Sequence, residues 1–109
     1  MAYDEALADR VRDLLSARSD VSERKMFGGI AFMVGGNMAC GVLGDELIVR
    51  LGEADAEQAL AEDGVREFDF TGRPMKTTIY VSPERTSDEA GLVEWVEAGA
   101  DYAASLPAK

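Results

Sequence analysis

Gly28-Gly29-Ile30-Ala31-Phe32-Met33-Val34-Gly35-Gly36-Asn37-Met38-Ala39-Cys40-Gly41-Val42-Leu43-Gly44-Asp45-Glu46-Leu47-Ile48-Val49-Arg50-Leu51 is the stretch on which the fold turns. Three apolar runs, 30–34, 37–43 and 46–51, are separated by two two-residue breaks, Gly35-Gly36 and Gly44-Asp45. Glycine supplies the positive φ that tight hairpin turns demand, and runs of this length bounded by such turns read as strands. The stretch predicts a three-stranded antiparallel meander.

Downstream, Glu53, Asp55 and Glu57 open a short helix over 53–63, where the macrodipole favours anions, and Gly64 suits its stop. Two further strands are expected at 65–70 and 77–82, with Phe68 and Phe70 on one face and Ile79 and Val81 on another. Pro83 ends the second of them. Thr86-x-x-Glu89 fits a capping box for a last helix over 87–105, whose stripe is Leu92, Trp95, Val96, Gly99, Tyr102, Ala103 and Leu106. Upstream, Tyr3, Leu7, Val11, Leu14 and Leu15 recur at helical spacing over 3–17, and Ser19-Asp20-Val21-Ser22 supplies turn formers after them. The order α-β-β-β-α-β-β-α predicts an α+β two-layer sandwich with a mostly antiparallel five-stranded sheet covered by helices.

The chain has 109 residues, the size of one domain, and 47% of them are hydrophobic, enough for one core. No apolar run approaches the roughly 20 residues of a membrane helix. The first residues, Met1-Ala2-Tyr3-Asp4-Glu5, lack a secretory pattern, so a cytoplasmic location is expected. Twenty-one acidic residues oppose eleven basic ones for a formal net charge of −10. Such a surface repels phosphate backbones, which argues against autonomous nucleic-acid binding. Histidine is absent, which removes His-based proton transfer and His metal ligation. Cys40, the one cysteine, falls in a strand pattern without a histidine partner and reads as a packed small hydrophobe. No metal and no cofactor is expected.

Positive charge is scarce, and part of it sits in two motifs, Arg24-Lys25-Met26-Phe27-Gly28-Gly29 and Gly72-Arg73-Pro74-Met75-Lys76. Each admits two readings. In the first motif, Arg24 and Lys25 beside the bare amides of Gly28 and Gly29 would hold an anion. Alternatively, Met26 and Phe27 plug the core, the glycines make a turn, and the cations are solvated. In the second, Pro74 stiffens a turn that presents Arg73 and Lys76 to a carboxylate or phosphate. Alternatively, it is a rigid connection whose cations balance Glu67 and Asp69. Arg50, in an otherwise apolar strand, either extends such a patch or pairs with a carboxylate. The spacing of a phosphate loop is absent, and the glycines precede a strand rather than a helix.

These motifs, the glycine-turn meander between them and the late helix bearing Trp95 resemble the N-terminal domain of the TfoX/Sxy family, named for bacterial regulators of natural competence. The resemblance covers nearly the whole chain. It implies a two-layer α-β(3)-α-β(2)-α fold like that of type III secretion chaperones, in agreement with the element order above. It implies transcriptional regulation of competence for the named members, which carry a further C-terminal domain of helix-hairpin-helix character. This sequence stops at Lys109 and reads as one stand-alone N-domain over 1–109, with a short tail at 107–109. The family supplies no catalytic residues. The function expected is a non-enzymatic regulatory or protein-interaction module, with Arg24, Lys25, Gly28, Gly29, Arg50, Arg73 and Lys76 as one cationic patch. Its partner is a protein or a second copy. The alternative is a sensor that binds an anionic metabolite at the same patch.

Overall fold

Gly35 and Gly36 take φ of 61° and 84°. Positive φ at both central residues is what a type I′ hairpin requires, and it turns the chain directly back on itself. That hairpin joins β2 (Gly29–Val34) to β3 (Asn37–Leu43), and a second turn at Gly44 leads into β4 (Glu46–Arg50). The expected meander is therefore present, in the computed structural model whose described residues are 3–26, 28–69 and 75–107 (without the side chains of Met26 and Met75).

The remaining elements are α1 (Glu5–Leu15), β1 (Val21–Met26), α2 (Glu53–Ala59), β5 (Val65–Phe68), β6 (Met75–Val81), α3 (Pro83–Thr86) and α4 (Glu89–Ser105). The sheet runs β1-β2-β3-β4-β6-β5, and every strand pairing described is antiparallel. After β4 the chain crosses through α2, forms the edge strand β5 and returns as β6 between β4 and β5.

The sheet thus has six strands, where the sequence predicts five. The additional one is β1, which holds Arg24 and Lys25. Its residues Val-Ser-Glu-Arg-Lys-Met show no apolar alternation because the strand lies at the sheet edge. Ser22, Glu23, Arg24 and Lys25 are all exposed, so nothing selects for apolar side chains there. The cue that was available is symmetry: two six-residue runs, 21–26 and 29–34, lie on either side of Gly28, whose φ is 78°.

Two apolar clusters divide the faces of the sheet. The larger joins Ile30, Phe32, Val34, Cys40, Val42, Leu47, Val49, Ile79 and Val81 to residues of α1, α2 and α4. Alternate residues on the same strands point the other way, and there Ile48, Phe68 and Tyr80 form a second cluster to which no helix contributes among the described residues. α4 lies across β2, β3 and β4, and α1 packs on α4. A Cβ at Gly99 would collide with the carbonyl oxygen of Ala39, so this glycine sets how closely α4 approaches β3.

Local capping differs from expectation in one place. Asp88, not Thr86, caps α4, its side chain accepting from the Gly91 amide. Thr86 instead closes the short α3, its hydroxyl donating to the Pro83 carbonyl at 3.2 Å. Pro83 is favoured at the first position of a helix, so it starts α3 as well as ending β6. α1 begins at Asp4, whose carboxylate accepts from the Leu7 amide, and α2 stops at Ala59, earlier than the sequence predicts. Phe70 lies outside the described residues.

Cys40 is fully buried in the larger cluster, and desolvation pushes its thiol up to about 12. A thiolate is therefore inaccessible at neutral pH, in keeping with a packed small hydrophobe. Among the described residues no helix is long and apolar enough to cross a membrane.

Candidate functional site

The site is built most directly from the fate of the cations. Arg10 pairs with Glu89, Arg18 with Glu97 and Asp101, Arg66 with Glu46, and Arg85 with Glu62. Arg12, on α1, pairs with Asp9 and reaches Glu23 on β1 through two of its nitrogens. That contact lowers the Glu23 carboxyl below its ordinary value, hydrogen bonding to Arg12 being the main cause. Arg50 rests over the Tyr102 ring, 5.6 Å from its centroid. Arg24, Lys25 and Lys76 are exposed and form no ion pair among the described residues.

These three do not converge. Arg24 and Lys25 lie on β1, Lys76 on β6, and β2, β3 and β4 stand between them. At about 4.8 Å per strand the separation across the sheet is about 19 Å. The expected union of the two motifs therefore does not form between these residues, because the meander itself is inserted between them. Arg73 lies outside the described residues. Arg50 is not in the patch and, among the described residues, is not paired with a carboxylate; it sits on an aromatic ring at the end of β4.

Lys76 also has the wrong surroundings for an anion. It lines a groove of about 260 Å³ shared with Glu53, Glu57 and Glu67. An incoming anion would meet three carboxylates and one ammonium. The glycines of the first motif are committed as well. Gly29 pairs with Met26 to close the β1–β2 hairpin, and a Cβ there would strike the Val42 carbonyl. Gly28 serves the turn through its positive φ.

What remains is the adjacent pair Arg24 and Lys25 on an edge strand. Successive residues of a strand face opposite ways, so these two cations flank the edge, one on each face. Arg24 pairs with Ala31 and Lys25 with Ile30, so Lys25 shares the helix-covered face and Arg24 the other. The one carboxylate on the strand, Glu23, is already engaged by Arg12. The edge is locally cationic on a molecule of formal charge −10.

A second concavity, about 300 Å³, opens between α2 and α4 over Leu51. Trp95 and the carboxylates of Asp55, Glu62 and Glu94 line it, and Arg85 lies 5.5 Å from the Trp95 ring centroid. Its charge is opposite to that of the β1 edge. No group of three or more acidic, cysteine or histidine side chains is placed to hold a metal among the described residues.

The chain finds no match among curated proteins. The family model of the TfoX N-terminal domain, in contrast, matches residues 13–103. That span runs from within α1 to near the end of α4 and includes every strand. With a match over most of its length, the chain belongs to the TfoX N-terminal domain family.

Proposed function

We propose that this TfoX-family domain is a non-enzymatic interaction module of a regulatory system, and that it engages an acidic segment of a partner protein through Arg24 and Lys25. The observation that carries this reading is the contrast in how cations are used. Five arginines are tied to carboxylates of the chain itself, whereas this adjacent pair has no ion pair among the described residues. On so acidic a surface, an unneutralised cationic pair draws an anionic segment selectively and repels the same segment elsewhere. A burial-raised thiol at Cys40 and the absence of histidine support a binding rather than a catalytic role.

The test is titration of the folded chain with a blocked acidic peptide, followed by calorimetry. Arg24→Glu together with Lys25→Glu is expected to weaken binding at least tenfold. Thermal unfolding should stay essentially unchanged, since both side chains are exposed. Equal affinity of the double variant, or binding of small anions but of no acidic peptide, overturns the reading.

A further inference from the structure

The Gly35 amide donates to the Asp20 carbonyl at 3.0 Å, and this single bond sets the phase of the whole β1–β2 ladder. In an antiparallel pair, hydrogen-bonded and non-hydrogen-bonded positions alternate. Asp20 and Gly35 continue the register that pairs Val21 with Val34, so Ser22, Arg24 and Met26 turn their main-chain groups toward β2. Val21, Glu23 and Lys25 therefore turn theirs outward. Among the described residues no strand lies beyond β1 and no hydrogen bond uses those outward groups.

Resting on the acidic-segment reading above, we infer that the partner segment binds as a seventh strand, paired through its main chain to the outward N–H and C=O groups of Val21, Glu23 and Lys25. Strand addition of this kind draws affinity from the main chain and selectivity from side chains at alternate positions. Here the selectivity is electrostatic. A strand laid against β1 passes Arg24 on one face and Lys25 on the other, so acidic residues on either face of the incoming segment find a cation.

Charge also argues against a second copy of the same edge. Ladder phase permits only registers that pair outward-facing residues, and three antiparallel ones set both Arg24 and Lys25 against residues of β1. The register that sets Glu23 opposite Lys25 places Arg24 against its own symmetry mate. The next one sets Glu23 against Glu23, and the one after sets Lys25 against Lys25. Each of these apposes like charges, which is destabilising. An acidic strand meets no such penalty, because the carboxylate of Glu23 is held by Arg12.

The probe is a blocked hexapeptide of alternating valine and glutamate, compared with the same peptide N-methylated at every residue so that its charges persist but both edges lose their N–H donors. Amide exchange is read at single residues. Bound peptide should slow exchange at Val21, Glu23 and Lys25 at least tenfold and leave Ser22 and Arg24, already bonded to β2, nearly unaffected. The methylated peptide should bind at least tenfold more weakly than the parent. If the methylated peptide and the parent bind equally, or if binding leaves the three amides unprotected, strand addition is overturned while the acidic-segment reading stands. If no acidic peptide binds in any form, both fall.

Discussion

The two edges of one sheet are handled in opposite ways. β5 is four residues long, its register shifts between Glu67 and Phe68, and its arginine is fully employed. Arg66 pairs with Glu46 and lies 4.2 Å from the centroid of Tyr80, which in turn stacks against Phe68 with centroids 5.0 Å apart. Shortness, irregular register and a charged side chain are among the means by which a sheet edge is blunted against further pairing. β1 is six residues long, regular throughout its register, and carries two adjacent cations without ion pairs among the described residues. On the reading proposed above, charge on an edge strand protects or recruits according to whether a carboxylate of the same chain lies within reach.

That comparison can be broken or sharpened by substitution. The largest expected effect is at the blunted edge: Phe68→Ala removes a buried aromatic that holds β5 to the sheet, and should cost about 3 kcal/mol in urea unfolding. A cost under about 1 kcal/mol would mean that β5 is not anchored as described. At the open edge, Arg24→Glu with Lys25→Glu should change stability by less than about 0.5 kcal/mol while removing at least tenfold in affinity for acidic peptide. A large loss of stability there would erase the distinction between the two edges.

Arg66→Ala should fall between these in stability, costing about 0.5–1 kcal/mol, because its ion pair is largely solvated and its cation–π contact is the stronger part. It should also leave β5 a better template for pairing, seen as self-association that rises with concentration. The smallest effect concerns the Arg12–Glu23 contact, which neutralises the one carboxylate of β1. A carboxyl held below its ordinary value of 4.5 contributes stability above that pH and loses it as the pH falls through the folded-state value. Glu23→Gln should therefore lower the neutral plateau slightly and flatten the acid limb, the two proteins converging in stability at low pH. An unchanged acid limb would show that the contact contributes nothing in solution.

The α2–α4 groove lies outside this contrast and has the reverse polarity. Its indole is the sole tryptophan of the chain, so fluorescence excited selectively at the indole, beyond the absorption of the tyrosines, reports on that region. Titration of acidic peptide at β1 should leave this signal constant, which makes it an internal control for the edge-specific measurements.

The chain by itself determined the meander, the helices at both ends and the two-layer arrangement, because Gly35-Gly36 and Gly44 fix turns locally and apolar periodicity needs no partner to be read. It also marked Arg24 and Lys25 as unusual. It did not show that they lie in a strand, since an exposed edge carries no apolar alternation. Nor did it separate them from Lys76. That depended on strand order, which is set by how distant segments pack rather than by any short run of residues. Which main-chain groups point outward was decided later still, by the phase of a ladder that exists only once β1 and β2 have paired.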